Sequence, residues 1–550
     1  MGSRTRSLNR REFVTLVGGA GTAVGLQSSL HALDFETRAR AEPQPSAAAQ
    51  PKVIAPGPDA AERDLALLAL DTATREGAGY ADVRISRHQF ESLGGRERQI
   101  TDVSRSESFG IGVRALVGGS WGFAATRDIS REGVLRASRE AAATAAANDR
   151  VAPNRIVLAP VPKVADGRWI TPHAVDPFTV ALESKAELLF RTNEEALKVK
   201  GVRFVTSSVD SVRESRLLAT TEGSIIQQTF IRVNPEVTVT AVAADNSDAQ
   251  SRNGATPPAG YGWEYVTGLT LPERAVRYAN EAVMKLSAPR VEPGVWDLVL
   301  HPSHLWLTIH ESLAHPSELD RALGYEANYA GTTFLAPPSK VLGQFRLGRP
   351  LMTVVANRTE VGGCATVGWD DEGVPASSYP IIDKGLFVNY ESATREMIQE
   401  VASMSRLKAA PGHSYCEHWS SMPFPRMPNV SLLPATRNIS EEEVIANTRH
   451  GIFIEGDGSY SIDQQRYNFQ FGGQTFWEIR NGKKIRMLRD VAYVARTPEF
   501  WNSMAMIGGR ETYQLGGSFS DAKGQPMQLS SVSHGCPVAL FRDVMVLRTG

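Results

Sequence analysis

The order of helix-like and strand-like segments changes near residue 290, and this change limits the folds that the chain can adopt. Upstream of it, stretches with apolar residues at helical spacing alternate with strand-like stretches such as SIIQQTFIRV and EVTVTAVAA. The helical stretches cover 59–76, 129–148, 176–199 and 271–287. The order helix, strands, helix therefore occurs twice, which predicts an N-terminal α+β domain over residues 58–290.

Downstream of residue 290 the pattern is mostly short strand-like runs separated by glycines. VWDLVLHPSH predicts a strand, and LWLTIHESLAH after it predicts a helix. Runs such as GIFIEGDGSYSI then predict strands and turns. The 550 residues exceed what one hydrophobic core usually holds. We therefore expect an α+β protein whose second domain, residues 291–550, is β-rich and carries this helix.

The charge balance and the cysteine count exclude several classes of protein. The chain has 59 Lys and Arg against 60 Asp and Glu, so its net charge of -1 predicts neither a nucleic-acid footprint nor a polybasic membrane surface. The three cysteines, Cys364, Cys416 and Cys536, cannot build a disulfide framework, and the sequence has no CxxC pair. The sequence leaves open whether Cys364 and Cys416 pair.

The first 41 residues have the pattern of an export signal. A basic start with Arg10-Arg11 precedes an apolar stretch from Phe13 to Leu26, and Ala39-Arg40-Ala41 or Ala32 offers a small-residue cleavage site. We expect a twin-arginine signal at 1–41, followed by a Pro- and Ala-rich linker at 42–57. An ordinary secretory signal or an N-terminal anchor is the alternative. No later run reaches about 18 apolar residues, so we expect an exported chain with no stable membrane span after cleavage.

The candidate chemistry lies in the string HESLAH, from His310 to His315. Neutral imidazoles are good zinc ligands, and a carboxylate beside them, here Glu311, can take a proton from a water activated by the metal. The alternative is a partly buried helix whose histidines make ordinary hydrogen bonds. A catalytic zinc site needs a third protein ligand. The residues alone leave that ligand open among Glu318, Asp320, His413, His418, His534 and Cys536.

From about residue 60 to its C-terminus, the sequence resembles the TldD/PmbA family of zinc metallopeptidases. The resemblance is carried by five blocks in the family's order, which together are far more specific than one motif. These blocks are HESLAHPSELD, GWDDEGVPA, PFPRMPNVSLLPA, GIFIEGDGSYSIDQQRYNFQFGGQTFWEIRNGK and SHGCPVALFRDVMV. The intact HExxxH string is similar to that of the TldD-type subunit, which keeps the metal.

The resemblance implies an α+β metallopeptidase with one zinc per chain. It implies that His310, His315 and Cys536 bind the zinc, and that Glu311 is the general base. Family members act on small or unfolded peptides in a cleft between two subunits. The resemblance therefore implies a peptide substrate and either a homodimer or a heterodimer with a related subunit. Glu318 and Asp320 match the acidic pair that follows the family's motif, and we expect supporting roles for them.

Two other functions remain compatible with the sequence. One is a non-peptidase zinc hydrolase, such as an amidase that acts on modified peptides. The other is an inactive binding subunit of a heterodimer, against which the intact Glu311 argues. The sequence does not name the peptide.

The spacing of the two histidines also predicts a local distortion. Each residue of an α helix turns about 100°, so residues five apart point roughly 140° away from one another. A π turn would bring them back onto one face. Pro316 lacks an N–H and crowds the preceding turn. We therefore expect the helix to be widened or broken between Ser312 and Pro316.

Other conspicuous polar residues favour structural roles. We expect residues 370–372, Asp-Asp-Glu, to form a turn that stabilises the β-rich domain, because adjacent residues on a strand point to opposite faces. His301 and His304 are interpreted as surface or capping groups. His534 would share a strand face with Cys536, and either a supporting role near the metal or a solvent-facing position fits it.

Overall fold

A computed structural model of the chain describes residues 8–9 and 55–549, apart from residues 255 and 408. The predicted export signal at 1–41, save two residues, and most of the predicted linker at 42–57 lie outside the described residues. Among the described helices, none is long and apolar enough to cross a membrane.

An eight-stranded sheet, antiparallel except at one edge, organises the first half of the chain. Its strands are β1 (Leu8–Asn9), β2 (Tyr80–Arg96), β3 (Gln99–Val117), β4 (Ser120–Thr126), β5 (Gly167–Ile170), β6 (Val202–Thr220), β7 (Ile225–Val242) and β8 (Ala249–Asn253). The order is β1-β3-β2-β6-β7-β5, with β4 beside β3 and β8 beside β7. Strands β2, β3, β6 and β7 pair along nearly their full length.

The long strands join two hydrophobic clusters. Val83 and Ile85 of β2 pack in the cluster that holds the first two helices, whereas Leu93 of the same strand packs in the cluster of the next helices. Asp59 and Ser130 cap the first two helices with side-chain oxygens that accept backbone N–H groups. The helices of this half are Ala60–Arg75, Arg131–Asp149, Leu182–Leu197, Trp263–Gly268 and Leu271–Ser287, with a 3-10 turn at Pro177–Thr179.

The second half is built from shorter strands. They are β9 (Gly294–Leu300), β10 (Val354–Asn357), β11 (Ser378–Asp383), β12 (Leu386–Phe387), β13 (Ser414–Tyr415), β14 (Phe424–Pro425), β15 (Asn429–Leu432), β16 (His450–Ile462), β17 (Asn468–Arg480), β18 (Lys483–Leu488), β19 (Val491–Arg496), β20 (Met504–Ile507), β21 (Gln514–Lys523), β22 (Gln528–Cys536) and β23 (Ala539–Arg548). The pairings β16–β9, β9–β23, β23–β19, β19–β17 and β17–β16 close into a ring. A four-stranded sheet, β12-β11-β10-β15, and the hairpin β21–β22 lie beside it.

A short helix, Pro302–Ile309, packs on this ring and is here named the motif helix. Its Leu305 and Ile309 share the largest hydrophobic cluster with Leu298 of β9 and Phe471 of β17. The other helices of this half are Leu319–Ala322, Pro338–Val341, Ile398–Val401, Glu441–Ala446 and Thr497–Asn502. The α+β fold class with a β-rich second half is thereby confirmed, whereas the domain limits at 58–290 and 291–550 stay predictions.

A turn in the second half of the chain binds to the first sheet through ion pairs and hydrogen bonds. Asp371 forms a buried ion pair with Arg216 of β6, and Glu372 pairs with Arg114 of β3. The side chain of Gln228 accepts the N–H groups of residues 368 and 369 and donates to the carbonyl of Trp369. Residues 370–372 thus form a turn, as expected, but their carboxylates bind the neighbouring sheet rather than the β-rich domain alone.

The two histidines near the motif helix differ from each other. His301 caps the helix by accepting the N–H of Ser303, as expected. The interpretation of His304 as a surface or capping group was wrong, because its side chain is fully buried between the carbonyl of Gly456 and the hydroxyl of Tyr493. Cys364, Cys416 and Cys536 are all free and buried.

Candidate metal centre

The motif helix changes its winding where the HExxxH string begins. Residues His310–Ala314 form a π turn, in which the N–H of His315 donates to the carbonyl of His310. A 3-10 turn, His315–Ser317, follows. The widening predicted from the histidine spacing is present, and it begins two residues earlier than expected. Because of it, the rings of His310 and His315 lie on one face, with their centroids 4.5 Å apart.

Neighbouring hydroxyls compensate the backbone for this distortion. The hydroxyl of Ser317 donates to the carbonyls of Leu313 and Ala314, at 2.7 and 3.0 Å. The hydroxyl of Ser312 donates to the carbonyl of Thr308. These bonds satisfy buried carbonyls at the end of a helix, where orphaned groups are costly.

The two histidines meet a third possible ligand, Asp521, in the hairpin β21–β22. Its Oδ1 lies 3.7 Å from Nε2 of His310 and 4.0 Å from Nε2 of His315, and the three ligand atoms lie within 4.8 Å of one another. The pairing of β21 with β22 shifts register between Ser518 and Asp521, and such bulges re-aim side chains. All three side chains are less than a tenth exposed.

The chemistry of these atoms fits a metal ion. Burial lowers the pKa of His310 to about 3 and holds that of His315 well below its ordinary value. Both rings are therefore neutral near pH 7, so each has one nitrogen lone pair free for a cation. Two imidazoles and a carboxylate are a common ligand set for zinc and related divalent metals.

A hydrogen-bond chain fixes which nitrogen of His310 faces the site. Nδ1 of His534 lies 2.9 Å from the carbonyl of Val430, so this nitrogen must carry the proton and donate. In the neutral ring Nε2 of His534 is then an acceptor, and Nδ1 of His310 donates to it at 2.8 Å. The lone pair of His310 is consequently on Nε2, the atom that faces Asp521. His534 is fully buried, so the solvent-facing alternative does not hold.

His315 is oriented by a buried group of charges. Its Nδ1 lies 3.3 Å from Oε2 of Glu318. Burial alone would raise the pKa of Glu318, but Lys523 and Arg321 hold it well below its ordinary value. Lys523 also binds Asp320 at 2.7 Å. Glu318 and Asp320 therefore have the supporting positions expected of them.

Asp521 is held by Arg426, whose Nη2 donates to its Oδ2 at 2.8 Å and to its backbone carbonyl at 2.6 Å. This leaves Oδ1 directed at the histidines. Burial raises the pKa of Asp521, and the Arg426 guanidinium opposes that rise. The sequence alone did not single out Asp521, because it lies about 200 residues from the motif in a run without distinctive spacing.

Glu311 lies beside the centre and is bound by two groups from the β16–β17 hairpin. Arg466 forms an ion pair with its Oε2, and the hydroxyl of Tyr460 donates to it. Burial raises the pKa of Glu311, and Arg466 counteracts this. Glu311 in turn raises the pKa of Tyr460 to about 12. Neither Arg466 nor Tyr460 was singled out from the sequence.

Cys536, the expected third ligand, does not join the two histidines. Its sulfur lies 3.7 Å from the carbonyl of Pro302, at the start of the motif helix. The side chain is fully buried in the main hydrophobic cluster, and burial raises its pKa well above the ordinary value. The structure thus brings His310, Glu311 and His315 together with Asp521, and Cys536 is not part of this group.

A cleft of about 290 Å³ lies next to the centre, between the first sheet and the β-rich half. One wall is formed by residues 514–519 of β21, and the opposite wall comes from β7 and the segment after β8. Trp306 lines the cleft one helical turn before His310, with the two rings 6.3 Å apart. A Cβ at Gly516 would lie 2.2 Å from Trp306, so this wall requires glycine.

Three models of one protein family match the chain in order. Residues 81–145 match PmbA/TldA metallopeptidase domain 1, residues 175–286 match the central domain, and residues 293–548 match the C-terminal domain.

Individual proteins agree with these matches. A metalloprotease from Methanocaldococcus jannaschii is 26% identical over 75% of this chain and 85% of its own length. A metalloprotease TldD homolog from Haemophilus influenzae is 23% identical over 86% of this chain and 94% of its own. The crystal structure of TldE from Thermococcus kodakarensis superposes with a TM-score of 0.67 at 13% identity, covering 89% of this chain and all of that one. The chain therefore carries the three domains of the PmbA/TldD metallopeptidase family in their order, and it belongs to that family.

Proposed function

We propose that the protein is a zinc-dependent peptidase that hydrolyses small or unfolded peptides, with Glu311 as the general base. The observation that carries the proposal is the convergence of two imidazole nitrogens and a carboxylate oxygen beside the Glu311 carboxylate. Membership of a metallopeptidase family and the names of the relatives support it. We assign the metal to His310, His315 and Asp521, one ion per chain.

A bound zinc would polarise a peptide carbonyl and make water a stronger nucleophile at neutral pH. The residues around it have separate tasks. Glu311 accepts the proton of the attacking water and passes it to the amine that leaves. Arg466 and Tyr460 both donate to the Glu311 carboxylate. Nε of Arg466 has no partner among the described residues, so it is suited to donate to the negative charge that develops on the carbonyl oxygen.

The cleft beside the centre suits an extended peptide. Among the described strands, β21 pairs with β22 alone, and residues Gly516 to Phe519 line the cleft and lead toward Asp521. A peptide that pairs with backbone there would be held by main-chain hydrogen bonds, which do not depend on sequence. Trp306 would pack against one of its side chains.

The test combines metal analysis with cleavage of an unstructured peptide by the purified protein. We expect about one zinc per chain, cleavage that a chelator abolishes and zinc restores, and a Glu311→Gln variant that keeps the metal but loses activity. Mass spectrometry of the products separates a peptidase from an amidase, because only the peptidase breaks the backbone. A Glu311→Gln protein with near-normal turnover would exclude the general-base role.

We also propose that the chain is exported through a twin-arginine signal and acts as a dimer, either with itself or with a related subunit. Export rests on the Arg10-Arg11 pattern, and the dimer on the family resemblance. Replacing both arginines with lysine should leave the protein in the cytoplasm. A monomeric mass by light scattering at micromolar concentration, with full activity, would refute the homodimer.

A further inference from the structure

A second buried polar site lies between the two halves of the chain, around four arginines. Arg216 and Arg232 come from the first sheet, on β6 and β7, whereas Arg358 and Arg426 come from the β-rich half. All four are at most 7% exposed. They line a small cavity of about 20 Å³, together with polar and aromatic side chains that include Ser414 and Tyr415.

The protein leaves part of this arginine cluster without hydrogen-bond acceptors. Nε of Arg216, Nε of Arg358 and Nη1 of Arg426 are buried and have no partner within the described residues, and neither has the hydroxyl of Ser414. A guanidinium group donates five hydrogen bonds and accepts none, so only an acceptor can satisfy these groups. Buried unpaired donors on charged groups are costly.

The carboxylates near the cavity already accept hydrogen bonds or form ion pairs, and Glu214 pairs with both Arg216 and Arg232. Asp370 accepts the backbone N–H groups of residues 372, 374 and 414. Asp371 accepts from Arg216 and from the N–H of Cys416. Arg358 has no carboxylate within ion-pair distance among the described residues, and its Nη2 donates to the carbonyl of Arg426. Its charge is therefore the least compensated of the four.

From this arrangement, we propose that the cavity binds one small monovalent anion of halide size, held between the two halves of the chain by the arginines. The volume decides the size, since about 10–15 Å³ is needed for one water-sized occupant and a tetrahedral oxyanion is much larger. The anion would supply the missing acceptor and offset the charge of Arg358. Burial also raises the pKa of Asp370 to about 7, which weakens the competing negative charge.

The site is separate from the proposed peptidase chemistry, although Arg426 touches both. Its Nη2 holds Asp521, while Nη1 remains without a partner at the cavity. Anion binding can therefore be tested without any measurement of peptide hydrolysis. Because residues from both halves surround the anion, its binding should stabilise the folded chain as a whole.

The direct test is bromide, which replaces chloride and scatters anomalously. In crystals of the full chain soaked in sodium bromide, we expect one strong anomalous peak inside the cavity, within hydrogen-bond distance of Arg358. A cavity that holds only water, or bromide found at surface sites but not here, would overturn the proposal.

A solution measurement shows whether binding occurs below crystal concentrations. At constant ionic strength, replacing gluconate by chloride or bromide should raise the unfolding midpoint, on the order of 1 °C for each tenfold increase in halide above its dissociation constant. Sulfate raises unfolding midpoints without a site, through its exclusion from the protein surface, so the specific effect is the halide dependence that a change in the cavity removes.

Two variants make the solution measurement specific. Arg358→Met should abolish the halide dependence. The exposed Arg406→Met, whose partner is Asp383, should retain it. If Arg358→Met does not fold, Ser414→Ala removes a lining hydroxyl and should weaken the dependence. An equal halide effect in all variants would mean adventitious ion binding only and would refute the proposal.

Discussion

Nε2 of His534 lies 2.8 Å from Nδ1 of His310, and the carbonyl of Val430 fixes the direction of the proton between them. The sequence left two positions open for His534, near the metal or facing solvent. This contact shows that His534 orients the candidate metal ligand His310. It holds the ring of His310 in the tautomer whose lone pair is on Nε2, and so connects β22 to the motif helix.

His534→Ala should therefore weaken metal binding without removing a ligand. Residues that orient metal ligands typically change affinity about 10- to 100-fold when replaced. Competition with a chromophoric chelator measures this. His450→Ala is the control, since that ring packs on Trp296 away from the centre. An affinity unchanged by His534→Ala would show that the contact does not tune the site.

Substitutions of Asp521 and Cys536 should have opposite effects on metal binding, because only one of these residues is the third ligand. Asp521→Asn keeps the size of the side chain and its bond to Arg426 but loses the negative charge, so we expect metal affinity to fall more than about 100-fold. Cys536→Ser should keep the metal and lose some stability, because the thiol is packed in the core. Atomic absorption after dialysis decides between them. Loss of metal in Cys536→Ser but not in Asp521→Asn would restore the ligand set implied by the resemblance.

Sequence periodicity located the helices of the first half but not the reach of its strands. The helix predicted at 271–287 is Leu271–Ser287, whereas the strand predicted near Ala81 to Ser86 continues to Arg96. The missing part is polar, and the stretch of β3 that pairs with it is largely exposed. Such polar segments form strands because neighbouring strands pair with them. The local sequence does not show which distant segments will pair, so it does not predict these strands.

Some residues of the candidate site could likewise be predicted from the sequence, and others could not. His310, Glu311 and His315 stand in one short string, and their spacing even predicted the π turn. Asp521, Arg466 and Tyr460 reach the site only through hairpins that fold back onto it. A lone cysteine near the C-terminus was the more conspicuous candidate, whereas an aspartate among many others carries no signal until a bulge directs it at the histidines.

Arg466→Met should lower turnover with little effect on metal content. If its N–H groups stabilise charge in the transition state, kcat should fall about 100-fold while KM changes little. Arg466→Lys, which keeps the charge, should recover part of the loss. The control is Arg496→Met, an exposed arginine paired with Glu499. A rise in KM at unchanged kcat would instead assign Arg466 to substrate binding.

Acid should destabilise the metal-free protein through His304. Burial lowers its pKa from 6.5 to about 4, so between these values the unfolded chain binds a proton that the folded chain does not. Stability therefore falls as the pH falls through this window, by up to about 3 kcal/mol for this residue.

Urea unfolding of chelated protein from pH 7 to 4 measures this slope. His304→Gln should flatten it by up to about one proton, because glutamine does not titrate. Comparing slopes separates titration from any general loss of stability in the variant. An identical pH dependence in both proteins would contradict the assignment.

The ion pair between Arg216 and Asp371 should contribute strongly to holding the two halves together. Both side chains are less than a twentieth exposed, and Asp371→Asn leaves the guanidinium with one fewer carboxylate. Breaking a buried pair by removing one charge typically costs about 3–5 kcal/mol, whereas an exposed pair contributes about 0–1 kcal/mol. Asp383→Asn, which breaks the exposed pair with Arg406, is the matched control.

We expect the midpoint of urea unfolding to fall markedly for Asp371→Asn and hardly at all for the control. Because the pair joins the two halves, its loss should also make the unfolding transition less cooperative. This appears as separate midpoints when hydrogen exchange follows the backbone of each half. Equal destabilisation by both substitutions would mean that the buried pair has no special role in joining the halves.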